Sequence, residues 1–172
     1  MGPKRSEQFR TGIRQVVHET LASLSRDRPI DIIAALCDPI PSRVYCYWVD
    51  APMADAEFIA RSSHVVQQVH SRNPETTQAV TESFEALLGY VDRRIAAVRQ
   101  TPNDSLLSQL IRATKTGQLT EDDLRNWVVK LAEANTDNSS HQIAIAVIEL
   151  ASRPEIWAML GRNPSLVPQA LR

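Results

Sequence analysis

An all-α fold is what this sequence predicts, and three observations carry the prediction. Only five glycines stand against ten prolines in 172 residues, a ratio that suits helices joined by short stiff turns better than hairpins, whose tight turns want glycine. Val80, Phe84, Leu87, Leu88, Val91, Ile95 and Val98 recur at three- and four-residue intervals, the helical period. No run alternates convincingly between apolar and polar residues; "SRVYCYWV" is the one strand candidate, and it is short.

Taken in order, helices are expected at about 6–25, 30–37, 40–49 and 54–71, between proline-marked breaks. The next, at about 74–99, has Asn73 as its N-cap and Pro74 at its first position. A further helix is expected at about 103–115. "LTEDDL" then offers Thr120 as an N-cap with acids in the first turn, a near capping box in which Asp123 stands where Glu is usual. The helix so opened runs to Ser152, roughly 48 Å at 1.5 Å per residue, long enough to be the spine of the molecule. Short helices at about 154–161 and 164–172 complete the chain, the last repeating the Asn-Pro start at Asn163 and Pro164. No repeat or low-complexity segment occurs, so residues 1–172 read as a single helical domain.

Composition excludes several classes of function. Nineteen basic and 20 acidic residues are interspersed, which leaves no electrostatic footprint for nucleic acid or an anionic membrane. No apolar run reaches the roughly 18 residues a spanning helix needs. "MGPKRSEQFR" has no apolar core of the signal-peptide kind, so a cytoplasmic location is expected. Two cysteines, Cys37 and Cys46, make neither a disulfide framework nor a zinc set; free, buried thiols are expected, and no metal site. His64 and His70, at spacing 6, are expected to be surface or hydrogen-bonded histidines. Tyr45, Tyr47 and Trp48, together with Trp127 and Trp157, read as packing residues. There is no Gly-rich phosphate loop and no Gly-x-Ser-x-Gly elbow.

The stretch "KLAEANTDNSSHQIAIAVIELASRPE" poses the functional question, because the expected spine is polar at its centre. Lys130, Glu133, Asp137 and His141, spaced 3, 4 and 4, share one helix face. Three explanations stay open from the residues alone. That face meets water and its charges are solvated, or it lines a cavity in which Glu133 or Asp137 works as a general acid with His141 or Lys130 as partner, or it is an interface with a partner protein.

The order of these pieces resembles bacterial cytochrome P-450 proteins. "LTEDDLRNWVVKLAEANTDNSSHQIAIAVIELASRPEIWAMLGRNPSLVPQALR" is similar to that family's long central helix and the start of the helix after it, and "RPIDIIAALCDPIPSRVYCYWVDAP" to an upstream segment. The resemblance covers residues 9–172 and implies a P-450-like helical fold around one long helix. It also exposes departures. On the family's Ala-Gly-x-[Asp/Glu]-Thr-Thr pattern, Ala134 and Asp137 match and Ser139 substitutes for the second Thr. Asn135 replaces the Gly that gives room beside the haem, and Asn138 replaces the Thr used in delivering protons to oxygen. No Phe-x-x-Gly-x-x-x-Cys-x-Gly segment and no Glu-x-x-Arg pair is present, so the expectation is a truncated, haem-free relative without the thiolate segment and without cofactor.

What this implies is a protein of secondary metabolism that binds a bulky apolar biosynthetic intermediate and promotes a cofactor-independent cyclisation or isomerisation. Asp137, His141 and Glu133 are the expected catalytic residues, and Lys130, Ala134 and Asn138 the expected ligand contacts. The alternatives are a non-catalytic accessory of another biosynthetic enzyme, or a fragment of a longer haem-binding monooxygenase. A homodimer with the long helix near the interface is expected, since a large exposed apolar patch is rare in monomers.

Overall fold

The computed structural model describes residues 3–25, 27–71 and 73–170; the side chains of residues 3–6, 8 and 70 lie outside the description. The expectation for the His70 side chain, and the end of the 164–172 helix at 171–172, therefore fall outside the described residues. Eight α-helices follow one another among the described residues: α1 (Pro3–Ala22), α2 (Pro39–Val49), α3 (Ala56–Gln67), α4 (Pro74–Gln100), α5 (Leu106–Lys115), α6 (Glu121–Ala151), α7 (Pro154–Arg162) and α8 (Val167–Ala170). A wide π turn, Ile33–Cys37, leads into α2, and single 3₁₀ turns sit at Met53–Asp55, Gln68–Ser71 and Pro164–Leu166. The described residues contain no strand, and the one strand candidate is α2.

Local chemistry sets the helix ends. Asn73 accepts the Glu75 amide at 3.0 Å and Pro74 fills the first position of α4, where a missing N–H costs nothing. At α6 the capping box is complete: the Asp123 amide donates to the Thr120 hydroxyl and the Thr120 amide to the Asp123 carboxylate, each at 3.0 Å. Asn163 departs from expectation. Its side chain caps no backbone amide, because its Oδ1 instead takes the Ser165 hydroxyl at 2.6 Å. Gly117, at φ 73°, turns the chain out of α5 in the left-handed region where a Cβ would be strained.

The core lies where the first half of α6 meets α2, α3, α4 and α5. Tyr45, Ile59, Leu87, Val91, Leu107, Leu124 and Val128 are all buried there. Burial of each aliphatic side chain of this kind contributes about 1.5–3 kcal/mol. A smaller cluster of Val16, Leu36, Ile40 and Val44 holds α1 and the π turn to α2, and receives Ile143 and Val147 from the second half of α6. The helical period of α4 locates its core face correctly at Leu87, Val91, Ile95 and Val98, but its upstream end leaves the core and Phe84 is exposed. Trp127 and Trp157 are not packing residues here; both are about half exposed, Trp127 at 56%. Cys37 and Cys46 are free and buried, as the sequence predicts.

Candidate functional site

Three groups of polar residues occupy the centre of α6, each facing different surroundings. The first faces inward and fastens the helix to the fold. Asn135 donates from Nδ2 to the Pro41 carbonyl at 2.7 Å, and the Ser140 hydroxyl donates to Asp38. Ser63 donates to the Ala132 carbonyl, while the buried Thr136 hydroxyl has no partner among the described residues. Asp38 is a junction, because His64 of α3 also reaches it at 3.7 Å. Nothing in sequence spacing links Asp38, His64 and Ser140, which come from three separate elements.

The second group lines a cleft of about 510 Å³ between α3, α4 and α6. Its α6 wall is Lys130, Glu133, Ala134 and Asn138, and its apolar wall is Val66, Val69, Val80 and Phe84. Lys130 donates from Nζ to Glu133 Oε2 at 2.9 Å. The two partners differ sharply in setting: the Lys130 side chain is 72% exposed and that of Glu133 only 8%. Asn138 turns its amide back onto the Ala134 carbonyl at 3.1 Å. Helical period marked Phe84 and Val80 as apolar face; it carries no signal that would separate a cleft wall from a core.

Asp137 and His141 form the third group, one turn further along. They pair with each other, Nδ1 to Oδ2 at 3.6 Å, with His141 exposed and Asp137 partly covered. The six residues expected at the site thus divide: Lys130, Glu133, Ala134 and Asn138 meet in one cleft, and Asp137 and His141 lie outside its lining.

The family that the sequence resembles carries haem on a cysteine thiolate, so the two thiols of this chain are the test of fit. Cys46 is packed in the main core, where burial, with the Asp55 charge adding to it, pushes its thiol up to about 12. Burial, with Asp38 and Asp31 nearby, likewise raises Cys37. An axial ligand needs the opposite, a thiolate in an electropositive or metal-facing site. The described residues do not furnish the axial sulfur, and no chemical step through haem is derived for them.

No protein-family model matches the chain. Against individual proteins, it is 30% identical to the mycinamicin IV hydroxylase/epoxidase of Micromonospora griseorubida over 98% of its own length and 42% of that enzyme's. It is 29% identical to nocardicin C N-oxygenase of Nocardia uniformis subsp. tsuyamanensis, again over 98% of the chain and 42% of the relative. In three dimensions 99% of the chain superposes on SgvP, of the griseoviridin tailoring step, with a TM-score of 0.86, 27% identity and 43% of that chain covered. CxnD, a cytochrome P450 enzyme for C–S bond formation in chuangxinmycin biosynthesis, shares the fold at a TM-score of 0.83 and 24% identity, with 99% of this chain and 41% of that one covered. The chain is a relative of the cytochrome P450 enzymes along its whole length, and it spans about two-fifths of the length of the curated relatives it matches. No helix among the described residues is long and apolar enough to cross a membrane.

Proposed function

We propose that the chain forms the substrate-facing helical part of a cytochrome P450-type oxidase of natural-product biosynthesis, and that a haem-binding part outside these residues completes it. One observation carries this reading. Along α6, Trp127, Lys130, Ala134, Asn138, His141, Ile145 and Ile148 are all exposed at three- and four-residue spacing. A helix that is the spine of its fold is open along one face, and by the family resemblance that face looks toward haem and substrate. Haem, when bound, supplies the oxidative chemistry. The residues of this chain bind and orient the substrate in the α3–α4–α6 cleft and keep water from it.

A second reading draws on Asn135 and Asn138, which stand where the family uses Gly and Thr, and on the charged pair in the cleft. In it, the chain acts without haem, as a cyclase or isomerase on an apolar intermediate or as an accessory to a biosynthetic enzyme, alone or as a homodimer. One measurement separates the two. The natural polypeptide is purified, supplied with haem, reduced and exposed to carbon monoxide. The absorption of a thiolate-ligated haem–CO complex is the expected result. No stable haem absorption would overturn the oxidase reading in favour of the second.

A further inference from the structure

The charges on the cleft wall set the class of molecule it takes. Among the described residues lining the α3–α4–α6 cleft, Glu133 is the one anion and Lys130 the one cation. They neutralise each other in the free protein, with Lys130 Nζ 2.9 Å from Glu133 Oε2. A charged ligand entering the cleft has to exchange with one of them, and the two exchanges are unequal. In this chain Lys130 stands mostly clear of the wall on a flexible stem, so it swings aside at little cost once something else holds Glu133. Glu133 is rooted in the wall and almost fully covered. A ligand carboxylate that drew Lys130 away would strand a buried charge, which is the costly outcome.

We infer that the cleft takes ligands with an apolar body and a positively charged nitrogen, the cation replacing Lys130 on Glu133 while the body lies against Val66, Val80 and Phe84. This deepens the proposed function and rests on its reading of the cleft as the substrate side. Lys130 then serves as an internal stand-in for the ligand's cation. It keeps Glu133 paired while the cleft waits and competes weakly with whatever enters.

The test is calorimetric titration of the polypeptide with three probes of one chain length: octyltrimethylammonium, octanol and octanoate. A quaternary nitrogen cannot ligate iron, so the readout does not depend on haem. The cation is expected to bind tighter than octanoate by roughly tenfold or more, the scale of one interaction with a charged group. Glu133→Gln keeps the shape of the wall and removes only its charge; it is expected to abolish that preference. Lys130→Met is expected to tighten the cation further, and the Glu133→Gln comparison stands whether or not that variant folds. A preference for octanoate, an unchanged preference in Glu133→Gln, or no binding of any probe would each overturn the inference. The carbon monoxide spectrum answers separately, so a failed cation preference and a failed oxidase reading are told apart.

Discussion

From Glu121 to Thr136, α6 runs through the middle of the molecule, with Leu124, Val128, Val129 and Ala132 sealed against four other helices. From Asp137 to Ala151 it has the same backbone geometry and a similar share of apolar residues. Yet only Ser140 and Ala144 are buried there, and Ile145 and Ile148 lie open to solvent, Ile148 at 60%. Helical propensity cannot account for the contrast, since one continuous helix carries both halves. The halves differ in what packs beside them: four helices cover the first, whereas among the described residues the second meets the smaller cluster around Ile143 and Val147 and, near its end, α7. A long helix is thus two objects energetically, a core element and an amphipathic arm whose apolar stripe lies open to solvent in this chain.

The contrast makes its largest claim at Leu124. Leu124→Ala is expected to cost about 2–5 kcal/mol, the range for emptying a well-packed site, and urea unfolding measures it directly. A loss under 1 kcal/mol would mean that the first half is not the core. Next comes Asn135→Gly, which restores the family's residue. It loses the bond to the Pro41 carbonyl and adds a flexible residue to the helix, for an expected loss of about 1–2 kcal/mol.

Thr120→Ala ranks third at about 1 kcal/mol, the usual cost of a lost cap. The capping box also has a pH signature. Hydrogen bonds from the Thr120 hydroxyl and amide hold the Asp123 carboxyl below its ordinary value of 3.8. Its contribution is therefore fully present above the unfolded value and is lost as pH falls through the lower, folded one. Melting curves across the acid range should show Asp123→Asn with a flatter fall than the wild type. The smallest effect belongs to the other half of α6: Ile148→Ala should shift stability by no more than about 0.5 kcal/mol in this chain. A larger loss would show that the exposed stripe is covered in solution.

Much of the fold could be read from the sequence because its signals are local. Asn73-Pro74 and the Thr120–Asp123 box mark helix starts within four residues of chain, and the structure keeps both. The burial of Glu133 could not be read that way. Helical spacing places Lys130 and Glu133 on one face, but whether α3 and α4 rise over that face is a fact of tertiary packing. Trp127 fails for the same reason: a large apolar residue in the helical period looks like core until its partner proves absent. The Asp38 junction was beyond sequence reasoning altogether, since Ser140 reaches it from 102 residues away.

That last distance has a consequence for synthesis. The helix α2 leaves the ribosome long before α6, against which much of it packs and whose Asn135 and Ser140 fasten it and Asp38. At about 5–20 residues per second, some 5–20 seconds pass before that partner is made. Over that interval Val44, Tyr45 and Val49 cannot complete the contacts that bury them in the finished chain. The α4–α5–α6 contacts close over shorter loops and can form among themselves, so the N-terminal helices dock onto a scaffold made after them. A pause in translation ahead of α6 is therefore expected to lower yield more than one behind it, which expression of variants with slow codons at each place would measure.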